Sequence, residues 1–192
     1  MSTRRRNRAS AARWALGALA GVALCLPAPL HAAAEEEWQL GLMLSGGGAV
    51  VSDDTGWGGG VAADVQYGLS DAVALHGALG TSWFQAPSRE AGALGTRSGV
   101  AGVVYTLDVL RVLPFAEAGV AVVSASGPYP QARLDLGLQL GLGGDYLLDR
   151  RWSLGLVAQY TYLPVELNGA SRGAAGAPAL VALAVRLSYR LF

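Results

Sequence analysis

Beyond residue 34 the chain has few side chains able to do chemistry, and they sit inside apolar segments. Asp64, His76, Glu117, Asp145, Arg186 and Arg190 each lie between two apolar or glycine neighbours. Carboxylates, an imidazole and guanidinium groups gathered in one interior could pair as an ionic network, because isolated charges are costly to bury. The same groups around an open axis would line a narrow polar conduit. A hydrolase is a third possibility. It would need His76, the one histidine beyond position 34, beside a serine and an acid at a membrane-facing site, yet alternation points His76 inward, next to Gly77 and Ala78. Asp53 and Asp54 supply two adjacent carboxylates, fewer oxygen ligands than a hard divalent cation takes. The glycine runs 46–48 and 56–60 are followed by neither a lysine nor a helix-forming stretch, so they do not form a phosphate-binding loop. No catalytic, cofactor or metal site is expected.

The elements that must position these residues begin after a leader. The 192-residue sequence opens with Arg4, Arg5, Arg6, Arg8 and Arg13, continues through the apolar run Ala15–Leu26, and reaches Ala32-Ala33-Ala34 before Glu35. A basic head, a short apolar stretch and small residues at a cut site make residues 1–34 a cleavable signal peptide. Twelve apolar residues fall short of the ~20 needed for a membrane-spanning helix. Cleavage removes Cys25, the single cysteine, and five of the 14 arginines, so residues 35–192 carry nine arginines against 14 acids, a net charge of −5. There is no lysine. An acidic chain without a basic patch is a poor nucleic-acid binder.

Alternation governs the rest. In Arg133–Tyr146, Leu134, Leu136, Leu138, Leu140 and Leu142 occupy every second position, with Asp135, Gly137, Gln139, Gly141 and Gly143 between them. Period two places the leucines on one face of a strand and the small or polar residues on the other. The same alternation marks segments near 38–44, 58–69, 72–84, 98–107, 112–123, 152–162 and 181–191, giving eight strands. Long polar connections are expected at 45–57, 85–96, 124–131 and 164–177, with short turns near 68–71, 108–111 and 149–151. Glycine on the non-leucine face suits a narrow interior better than a solvated surface. Aromatic residues gather toward strand ends and aliphatic ones toward strand middles, as at the two interfaces of a bilayer, and Leu138 is expected near the midplane. The fold class is therefore all-β, an eight-stranded antiparallel up-and-down transmembrane β-barrel spanning 35–192.

Three stretches, YGLSDAVALHG at 67–77, PFAEAGVAV at 114–122 and SYRLF at 188–192, resemble the small outer-membrane β-barrel superfamily of OmpA, OmpX and OmpW type. The resemblance covers Trp38 to Phe192. It implies a bacterial outer-membrane location, contact with outer-membrane lipid and a C-terminal signal at Tyr189, Leu191 and Phe192 read by the barrel assembly machinery. Phe192 falls out of the phase of the other two. The resemblance further implies extracellular loops available to an external or envelope partner. The alternatives are a narrow pore or carrier for small, including apolar, molecules and a lipid-modifying enzyme. The His-x-Ser arrangement of outer-membrane lipid A deacylases is absent here, since Ala78 takes the serine position. Asp64, His76, Glu117, Asp145, Arg186 and Arg190 are expected to form a polar network that plugs the lumen.

Overall fold

The computed structural model describes residues 36–51, 54–85, 93–108, 111–126, 133–167 and 178–191. Eight strands follow one another: β1 (Trp38–Val51), β2 (Asp54–Gly68), β3 (Val73–Gln85), β4 (Ala93–Thr106), β5 (Val112–Ser126), β6 (Arg133–Leu147), β7 (Trp152–Glu166) and β8 (Ala179–Leu191). Each pairs antiparallel with its sequence neighbour, and β8 closes on β1, making a closed up-and-down barrel. Residues 1–34, expected to be a signal peptide, and Phe192 lie outside the described residues.

The leucine-bearing faces point outward. Leu42, Leu44, Leu79, Leu138, Leu140 and Leu183 are all exposed, while the residues between them turn inward. Leu113 and Phe115 are buried with Glu117, so the proline-containing β5 keeps the same phase through Pro114. One apolar cluster of the interior, Met43, Val104, Phe115, Val157 and Ala184, packs together across the lumen.

The strands run further than alternation indicates. The glycine-rich stretch expected as the first long connection is mostly strand, paired continuously from Ser45↔Gly60 to Val51↔Asp54. Glycines give no hydrophobic period, yet backbone pairing needs none. They also allow close approach: a Cβ on Gly47 would collide with the Val181 carbonyl, and one on Gly58 with that of Trp83. β3 likewise reaches Gln85, β4 starts at Ala93, and β5 extends to Ser126. β7 continues through Pro164 to Glu166 because the β6–β7 register slips between Leu136 and Leu138, an irregularity that accommodates a residue with no N–H to donate.

The turns at the opposite end are held by side chains. Ser70 Oγ accepts from the Ala72 and Val73 amides at 3.4 and 3.2 Å. Asp149 Oδ1 accepts from the Arg151 and Trp152 amides, both at 2.7 Å. Those two bonds, Trp152 foremost, lower the Asp149 carboxyl below its ordinary range.

Following paired residues from Trp38 once around the wall arrives at Gly48, ten residues up the same strand. For eight strands this stagger means a tilt of about 40°, so each residue climbs about 2.5 Å and each step to the next strand about 3 Å. On that scale the outward-facing Trp38, Tyr67, Tyr105, Tyr146, Trp152 and Tyr189 fall within about 6 Å of one level. Trp57, Trp83 and Tyr162 lie about 24–28 Å above Trp38. Leu138 is about 20 Å up, nearer the second ring; Leu142 and Leu140 flank the middle instead. Sequence position misjudges its depth because tilt shifts each strand relative to its neighbours.

Candidate functional site: the polar lumen

The inward residues form two main clusters, one in the half of the barrel nearer the short turns and one reaching from there past the middle. In the first, Arg186 of β8 reaches across the lumen. Its Nη2 donates to Asp64 Oδ2 of β2 at 2.6 Å, and its Nη1 stands 3.5 Å from Asp145 Oδ2 of β6. The amide orientation that satisfies both groups puts Gln66 Oε1 2.8 Å from Nη2 and 3.2 Å from Nη1. The guanidinium also lies 5.6 Å from the Phe115 ring centre, where the face of the ring attracts a cation. His76 Nε2 stands 4.0 Å from Asp64 Oδ2. Asp64, Asp145, His76 and Arg186 are all buried.

Glu117 belongs to a second cluster. Its Oε1 accepts from Gln159 Nε2 at 2.8 Å and from Gln139 Nε2 at 3.3 Å, and Gln139 Oε1 in turn accepts from Thr161 Oγ1 at 3.2 Å. The carboxylate is thus caged by amides and makes no ion pair with the described arginines. Arg190 lies beyond ion-pair distance of the described acids, though its charge faces Asp145 of the first group. It sits half-buried at the mouth, lining a small chamber with Glu37, Gln39, Asp145 and Arg186.

Three glycines make room for these acids, and alternation does not point to them. The Asp64 carboxylate lies over Gly41, its pairing partner on β1; Glu117 lies over Gly141 on β6, and Asp145 over Gly155 on β7. A Cβ at any of the three would occupy the space of the carboxylate. The available signal was each inward glycine placed opposite an acid, but it requires the cross-strand register. A third polar group near the far rim was only half visible: Arg133 Nε donates to Asp135 Oδ2 at 2.8 Å, and its Nη2 is 4.0 Å from Glu166 Oε2. Glu166 falls where the sequence reads as a connection, yet it ends β7.

His76 faces the lumen, enclosed by charged partners and away from the outer wall. Of the two acids considered for a cation, Asp53 lies outside the described residues and Asp54 begins β2. Among the described residues no group of three or more histidine, cysteine or acidic side chains could hold a metal ion. At the terminus, Leu191 is exposed on the outer face, and Tyr189 packs tilted against Trp152 with ring centres 4.8 Å apart while accepting from Arg151 Nη1 at 3.2 Å.

A closed wall of eight tilted strands, greasy outside, ringed by aromatic side chains at two levels and polar within, is a transmembrane β-barrel. No protein-family model and no curated protein matches the chain. Solved structures do. Neisserial surface protein A superposes with a TM-score of 0.66 at 15% identity, covering 81% of this chain and 99% of that one. OprG from Pseudomonas aeruginosa gives 0.57 at 10% identity, covering 84% and 99%. Ail, the attachment invasion locus protein of Yersinia pestis, gives 0.55 at 14% identity, covering 82% and 100%. The chain has the fold of the small eight-stranded outer-membrane barrels.

Proposed function

We propose that this is an outer-membrane barrel, exported by cleavage of residues 1–34, that acts through its extracellular connections while its lumen stays closed. The observation carrying this reading is Arg186, which spans the interior between Asp64 and Asp145 and is covered by Phe115 and Gln66. Side chains fill an eight-stranded barrel of this stagger, and an ionic cross-tie held from several strands leaves no water column along the axis. Outer-membrane lipid covers the leucine face. The barrel assembly machinery takes up the chain through Tyr189, Leu191 and Phe192. Support for an external partner comes from Ail, which has been crystallised in complex with the heparin analogue sucrose octasulfate.

The test has two parts. Fractionation of cells expressing the full chain should place a heat-modifiable band, lacking the leader, in the outer membrane. The purified barrel in a planar bilayer should show no discrete conductance. Steady unitary currents would overturn the closed lumen, and a soluble periplasmic product would overturn the membrane assignment.

A further inference from the structure

One charged residue breaks the apolar rule of the outer wall. Arg97, exposed on β4, is the only charged residue in the outward phase of the described strands. Its depth gives this exception a meaning. Arg97 pairs with Thr81 of β3 and Ser124 of β5, and it stands about 24 Å above Trp38. That is the level of the second aromatic ring, where Trp83 and Trp57 also face outward. A guanidinium at the midplane would be costly, but at this level its long side chain reaches the headgroup zone. Among the described residues no acidic side chain pairs with it.

Below Arg97 the wall recedes into a shallow groove whose sides are Leu42, Val61, Leu79 and Thr81, with Ala63 on its floor. The groove is therefore greasy along its length and cationic at its upper end. The hydroxyls of Thr81 and Ser124 flank the charge.

We propose that this face binds a phosphorylated glycolipid of the outer leaflet. The acyl chains lie on the Leu42–Val61–Leu79 groove, the phosphate meets Arg97, and sugar hydroxyls meet Thr81 and Ser124. The assignment rests on the outer-membrane reading above, since the long-connection end must face the outer leaflet. Charge complementarity selects an anionic headgroup. The groove spans three strands, which favours a lipid with several acyl chains, and the adjacent hydroxyls favour a sugar over glycerol.

The test uses the purified barrel in phosphatidylcholine nanodiscs doped with bis-phosphorylated lipid A, its dephosphorylated form, or phosphatidylglycerol, with bound lipid counted by native mass spectrometry. The variants are Arg97→Gln, Arg97→Lys and, at a turn far from the groove, Arg150→Gln. Wild type, Arg97→Lys and Arg150→Gln should retain lipid A in preference to both other lipids, whereas Arg97→Gln should retain about tenfold less, the loss of one charge-assisted contact. An unchanged heat-modifiable shift in Arg97→Gln shows that the barrel still folds. Equal lipid A retention by wild type and Arg97→Gln overturns the site. Equal retention of phosphatidylglycerol by wild type overturns the glycolipid. Fractionation away from the outer membrane, with retention intact, overturns the location and leaves the binding face standing.

Discussion

Replacing Arg186 with methionine should destabilise the barrel more than any other conservative change in the lumen. The side chain serves two carboxylates, at 2.6 and 3.5 Å, and all three groups are buried. Methionine fills much of the volume but leaves Asp64 and Asp145 without their counter-ion. Removing one partner of a buried pair costs about 3–5 kcal/mol, chiefly because the remaining charge keeps its desolvation penalty. Loss of the contact with Phe115, made away from water, adds up to about 2 kcal/mol. A second variant separates charge from packing: Arg186→Met combined with Asp64→Asn and Asp145→Asn removes the stranded charges and should recover most of the loss. The assay is reversible urea unfolding of the detergent-folded barrel, followed by tryptophan fluorescence and by the heat-modifiable gel shift. A single variant within about 1 kcal/mol of wild type, or a triple variant no better than the single, would refute the claim that the cross-tie is ionic.

Three further outcomes follow from the geometry. Leu142→Arg, close to the middle of the apolar band, should cost about 2–4 kcal/mol, whereas Leu136→Arg, near the upper ring, should cost about 0–1 kcal/mol in the same unfolding assay. Gly41→Ala should push the Asp64 carboxylate from its seat and cost about 1–3 kcal/mol, while Gly46→Ala, whose added Cβ would approach nothing nearer than the Gly58 carbonyl at 3.9 Å, should be near neutral. Asp149, exposed in the β6–β7 turn, has a folded-state carboxyl held below its unfolded value by the Trp152 and Arg151 amides. Its contribution is present above the unfolded value and vanishes as pH falls through the folded one. Wild type should thus exceed Asp149→Ala in stability at neutral pH, and the two curves should converge in acid.

Where side chains alternate strongly, as in the leucines of β6 or the Trp152–Tyr162 half of β7, the strand, its phase and its outward face were legible from sequence. The wall between Gly46 and Gly60 was not, because glycine gives neither face a hydrophobic mark although its backbone pairs as well as any other. Pro164 misled for a related reason: a residue that donates no hydrogen bond looks like an end of pairing unless the register slips around it. The lumen showed the same division. Asp64, His76, Glu117, Asp145 and Arg186 could be placed inside by phase alone, but which acid meets the arginine and which meets amides depends on stagger. That separates Glu117 with Gln139 and Gln159 from Arg186, and leaves Arg190 at the mouth.

The glycines beneath Asp64, Glu117 and Asp145 also bear on how this sequence can drift. Each acid and the bare position opposite it form a lock in which the glycine cannot be exchanged while the acid remains. A larger residue can enter at 41, 141 or 155 only after the carboxylate has shortened or gone, and once it has entered, the acid cannot return. Among descendants of this chain the two positions of each lock should therefore change in ordered pairs, acid first, and a lineage that has lost one should retain the scar at its partner.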